Sequence, residues 1–218
     1  MKRIVLSSLA VCAVAIMVAI GVFGHFITSQ ASPDGLLREL TFDLKLRDQD
    51  ECLRDGVSGT WGAANMAPGQ TYGFQQPDYF VELQRLGLLP ADHLEISCAY
   101  SGSTMPDAMA KQMVFTDLRY SNSYWTIDLL DGTGGPGFKP CAYRPGDWQV
   151  RDADGDGKLT FYDLKTRPLD NIPPPCFGEC WATRVEMSVE FNKDAGNELQ
   201  GQTLSMSMSF TLNECSGE

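Results

Sequence analysis

The sequence predicts an all-β sandwich, and three observations carry that prediction. Near the C-terminus Val185, Met187, Val189 and Phe191 alternate with Arg184, Glu186, Ser188 and Glu190, and Leu204, Met206, Met208, Phe210 and Leu212 alternate with Ser205, Ser207, Ser209 and Thr211. A period of two sets one row against a core and the other toward water, so these runs read as a half-buried antiparallel pair joined by the polar stretch 192–201. With these two, some eight short segments of strand character along the chain are separated by turn signals, the pattern of a sandwich. No internal repeat or low-complexity linker interrupts them, which points to one domain carrying an inserted loop.

The N-terminus reads as an export leader. Lys2 and Arg3 supply a positive start, residues 4–20 are apolar apart from Ser7 and Ser8, and Val22-Phe23-Gly24 offers a place to cut. With a signal peptide over 1–24, the mature chain has 218 − 24 = 194 residues, enough for one sizeable core. Left uncut, residues 4–27 could just reach across a bilayer, the one route to membrane contact; no basic cluster follows to favour it. Removing Lys2 and Arg3 takes the formal charge from −11 to −13. So acidic a surface repels phosphate backbones, which argues against nucleic acid and suits divalent cations.

Residues 25–35 form a short polar segment with Phe26 and Ile27, ending at the breaker Ser32-Pro33-Asp34-Gly35; the sandwich domain then runs from 36 to 218. Leu40, Phe42, Leu44 and Leu46 alternate with charged and polar neighbours and predict a strand. Further strands are expected at 57–61, 79–86, 93–100, 114–120 and 124–130, and a short helix at 105–113 capped from Ser103-Thr104. Within 93–100, alternation sets His93, Glu95 and Ser97 on one face and Leu94, Ile96 and Cys98 on the other. Residues 131–147 are a Gly/Pro-rich loop holding Cys141, and Pro173-Pro174-Pro175 stiffens the return into the last strands. Cys12 leaves with the leader; Cys52, Cys98, Cys141, Cys176, Cys180 and Cys215 are an even set that allows up to three disulfides in fifteen possible pairings.

One stretch carries chemistry at fixed spacing. Asp152, Asp154 and Asp156 stand at positions 1, 3 and 5 of a twelve-residue loop, with Gly157 at position 6 to permit the turn. The Lys158 carbonyl falls at position 7, apolar Leu159 at 8, Thr160 at 9 and Asp163 at 12. This is an EF-hand-like order of oxygen ligands for Ca²⁺, and the run 152–164 resembles the calcium loop of dockerin repeats. Asp at position 12 is shorter than the usual Glu, which points to an extracellular-type dissociation constant of roughly 10⁻⁴–10⁻³ M. A dockerin needs two such loops with helices; this chain has one, and Pro168 and Pro173 leave no room for a long helix after it. The loop is therefore read as a structural calcium site on a sandwich.

Four stretches taken together resemble the TasA/camelysin family of secreted filament proteins, whose leaders are of the SipW-dependent type. They are Gly21-Val-Phe-Gly-His-Phe26 running into Leu40-Thr-Phe-Asp-Leu-Lys-Leu46; Val57-Ser-Gly-Thr-Trp61 with Asn65-Met-Ala-Pro-Gly69; Ala91-Asp-His-Leu-Glu-Ile-Ser97; and Phe191-Asn-Lys-Asp-Ala-Gly-Asn-Glu-Leu-Gln-Gly201. The resemblance implies a jelly-roll-like sandwich that polymerises head to tail into extracellular fibres of a cell surface or biofilm matrix, with accessory matrix proteins as further partners. It also implies that the mature N-terminal segment of one subunit fills a groove in the next, a role that falls here on 25–35. The six cysteines and the Asp152 loop depart from the best-known bacterial members.

Two other classes compete. A camelysin-like metallo-endopeptidase of zincin type needs two histidines a helical turn apart around a glutamate, yet only His25 and His93 exist, and His93-Leu-Glu95 sits in a strand. There is no Gly-x-Ser-x-Gly elbow, so catalytic residues are not expected. A monomeric adhesin or carbohydrate-binding sandwich would use Trp61, Trp125, Trp148 and Trp181 as a sugar platform, although tryptophans in such a fold more often pack the core.

Overall fold

A computed structural model of the chain describes residues 21–31, 44–48, 56–57, 62–63, 67–73, 80–85, 91–102, 104–135, 137, 148–175, 183–199 and 202–213; for 21–31, 44–48, 56–57 and 62–63 it gives backbone and pairing. The strands are β1 (Gly21–Ala31), β2 (Leu44–Asp48), β3 (Gly56–Val57), β4 (Gly62–Ala63), β5 (Thr71–Gly73), β6 (Phe80–Arg85), β7 (His93–Gly102), β8 (Met113–Ser121), β9 (Thr126–Asp128), β10 (Leu169–Ile172), β11 (Thr183–Phe191) and β12 (Thr203–Asn213). Two short helices, α1 (Pro106–Ala110) and α2 (Phe161–Thr166), lie between them, where the sequence predicts one.

The strands form two sheets packed as a sandwich. One runs β10-β7-β12-β1-β3, with β4 also on β1; the other runs β2-β6-β11-β8-β9, with β5 also on β11. Pairing is antiparallel throughout except between β1 and β12, which are parallel from Gly21↔Thr203 to Ala31↔Asn213. The core is one continuous cluster to which both sheets contribute, including Leu83, Ile96, Phe115, Tyr120, Val189, Met208 and Phe210. Tyr120 is wholly buried and donates its hydroxyl to the Pro173 carbonyl at 2.8 Å, satisfying a polar group that burial would otherwise penalise.

The alternation at 185–191 and 204–212 is borne out by burial, but the expectation that these strands pair with each other is not. β11 pairs with β5, β6 and β8, whereas β12 pairs with β7 and β1, so the two lie in opposite sheets. The reason is the connection. Residues 192–199 include a 3-10 turn, Asn197–Leu199, whose Leu199 is buried, so the chain leaves β11 through an arch in place of a tight hairpin turn. Alternation reports which face is buried; it does not report which strand lies alongside.

Other boundaries moved for local reasons. Of the strand expected at 57–61, Val57 closes β3 and 58–61 lie outside the described residues; β3 and the following β4 each pair with β1. The stretch 124–130 shortens to β9 because Asp128 accepts from the Leu130 amide at 2.8 Å and turns the chain at 129–131. Helix α1 covers five residues and has Met105 at its N-cap with no side-chain cap; Thr104 instead donates its hydroxyl to Gln202 Oε1 at 2.9 Å. β10, which no sequence pattern announced, pairs with β7 across a register shift, and Asn171 there takes a positive φ of 58°.

Cys98 corrects the disulfide expectation. It is buried and free, on the inner face of β7 with Leu94 and Ile96 as its alternation predicts, and burial pushes its thiol up to about 12. No disulfide is seen among the described residues; Cys52, Cys141, Cys176, Cys180 and Cys215 lie outside them, as do Trp61 and Trp181.

Candidate metal centre

The loop 152–163 is pinned at both ends by the second sheet. At its entry Val150 donates its amide to the Leu129 carbonyl at 2.8 Å. At its exit Phe115 of β8 donates to the Leu159 carbonyl at 2.8 Å, and Thr160 forms an isolated antiparallel bridge with Val114. Leu159 packs against the core as a position-8 residue should, and Phe161 and Leu164 of α2 are fully buried, Phe161 edge-on to Phe115 with ring centres 5.1 Å apart. A floppy acidic turn would lack these anchors.

Between the anchors, Asp152, Asp154 and Asp156 converge, each contributing a carboxylate oxygen to a set lying within 4.8 Å of one another. The backbone holds them there. Asp152 Oδ1 accepts from Gly155 N at 2.6 Å and Asp156 N at 3.2 Å, and its Oδ2 accepts from Gly157 N at 2.7 Å. Asp156 Oδ1 accepts from Lys158 N at 2.9 Å. The Gly157 amide first, then those of Gly155 and Asp156, hold the Asp152 carboxyl below its ordinary range. Gly155 and Gly157 sit at φ of 78° and 81°, a backbone that a side chain adopts only under strain.

Two ammonium groups flank the triad. Lys111, just past α1, reaches Asp154 Oδ2 at 2.8 Å while its Nζ also lies 4.2 Å from the centre of the Tyr162 ring. Lys158 reaches Asp156 Oδ2 at 3.3 Å. An oxygen-only donor set of three carboxylates suits a hard cation, which would compete with these lysines for the same oxygens.

Asp163 behaves differently from the other three aspartates. It is 1% exposed, and it is not among the residues whose oxygens gather within 4.8 Å. Its Oδ1 accepts from Ala153 N at 2.8 Å, and its Oδ2 accepts from Thr160 N at 2.8 Å and Thr160 Oγ1 at 2.6 Å. Thr160 is the N-cap of α2 and closes a capping box with Asp163. Position 12 therefore ties the loop's start to its end while capping the helix that follows. The signal was present as Thr-x-x-Asp at the entry to an apolar run.

A second charged constellation lies at the edge of the other sheet. His93 Nδ1 is 2.7 Å from Asp92 Oδ2 and its Nε2 is 3.1 Å from Asp170 Oδ1, so the ring bridges β7 and β10. Burial first, and then the nearby Asp170, raises the Glu95 carboxyl above its ordinary value. The two carboxylates meet different nitrogens of the His93 ring, and the Asp152 triad is the one three-ligand group among the described residues. Trp125 and Trp148 are partly buried against the core, Trp125 lying 5.3 Å from Tyr120.

No protein-family model matches this chain, and no curated protein matches it.

Proposed function

We propose that this chain is an exported structural subunit that polymerises head to tail by exchanging β1 between neighbouring copies. The observation that carries the reading is the placement of β1. It is an N-terminal strand of eleven residues lying parallel to β12 in a sheet that is otherwise antiparallel. A parallel neighbour cannot be joined by a tight hairpin. The next strand along the chain, β2, belongs to the other sheet, so β1 is tethered only through residues 32–43.

Exchange of such a strand is nearly neutral in energy. Whatever β1 gains along β12, β3 and β4 of its own subunit it regains along the same edges of another, and an unfilled β12 presents a row of unpaired amides and carbonyls as a template. In the isolated chain β1 fills its own slot; concentration and the tether decide between cis and trans. The tether holds 43 − 31 = 12 residues, a reach of at most about 40 Å, enough to pass to an adjoining copy. The register pairs Val22, Phe26 and Thr28 with the buried Leu204, Met208 and Phe210. The resemblance to secreted filament proteins, with their jelly-roll-like sandwich, adds to this reading.

The Asp152 triad is then a calcium site that stiffens the insertion between the two layers, suited to the millimolar calcium of an extracellular setting. Its fixed spacing, the loop's anchors and the oxygen-only donor set support calcium over softer ions. The adhesin alternative needs an exposed aromatic platform, and among the described tryptophans Trp125 and Trp148 are partly buried.

The test is electron microscopy of the purified exported protein, intact and lacking the residues of β1. Regular fibres from the intact protein, and a core without β1 that binds a synthetic peptide of the β1 sequence but stays short, are expected. Fibres of normal length from the truncated chain refute strand exchange.

A further inference from the structure

We draw no further inference here: the strongest candidate, the uncharged row of short side chains that β7 and β12 turn away from the core, Ser97, Ala99 and Ser101 beside Ser209, Ser207 and Ser205, is a sheet face for which nothing among the described residues shows what covers it.

Discussion

Asp163→Ala removes the carboxylate that ties the two ends of the 152–163 loop together, and the structure sets the size of the effect. Three hydrogen bonds go, leaving the amides of Ala153 and Thr160 without their acceptor. A buried donor stripped of its partner costs about 1–3 kcal/mol. Thr160 is buried, so its amide lies at the upper end; Ala153 is half-buried and water can take part of its share. The capping contribution, typically about 1 kcal/mol, is the same Thr160 pairing counted another way and does not add. The sum is about 3 kcal/mol, or a fall of roughly 6–12 °C in Tm for a domain of this size. The assay is urea unfolding followed by tryptophan fluorescence in excess chelator, so that no metal contributes. Asp163→Asn, which keeps one acceptor oxygen, should fall about midway. A loss below about 1 kcal/mol for Asp163→Ala in chelator would show that this carboxylate does not organise the loop.

Three further outcomes are expected. Calcium at ten times its dissociation constant should stabilise the protein by about 1.4 kcal/mol over excess chelator, a rise of roughly 3–6 °C in Tm by scanning calorimetry; superimposable melting curves would mean the triad binds no calcium. Lys111→Gln, which frees Asp154 of its ammonium, should tighten calcium binding about two- to five-fold by isothermal titration, the worth of one partly exposed ion pair. Stability should fall between about pH 9 and 12, because the unfolded chain gives up the Cys98 proton near the thiol's ordinary value while the folded chain keeps it to about 12. Tyr100, raised by burial and then by its hydrogen bond to Asp107, acts in the same direction. Urea midpoints at about pH 8 and 10.5 should differ, and Cys98→Ala should reduce the difference.

Residues whose environment is set by their immediate neighbours were the readable ones. The inward rows of β7, β11 and β12 followed from alternation, because burial of one face leaves a period of two whatever the partner strand is. The Asp152, Asp154 and Asp156 convergence followed from spacing, because the loop's turns are made by its own amides and glycines. What depended on distant chain did not follow. The separation of β11 from β12 into opposite sheets rests on the arch through Leu199, and β10 exists only because β7 offers an edge to Leu169 and Ile172. Cys98 counted as half of a disulfide because parity is a property of the whole chain, whereas its burial is a property of its strand.

Whether β1 sits in its own subunit or the next is the question on which the functional reading turns. A photo-reactive p-benzoylphenylalanine in place of Phe26 stands opposite Met208 in the parallel register. Fibres grown from an equal mixture of ¹⁴N and ¹⁵N protein, irradiated and digested, reveal by mass spectrometry which chain each cross-linked Met208 peptide came from. Strand exchange predicts that about half of those cross-links join a light peptide to a heavy one. Cross-links formed only within light or within heavy chains would contradict it.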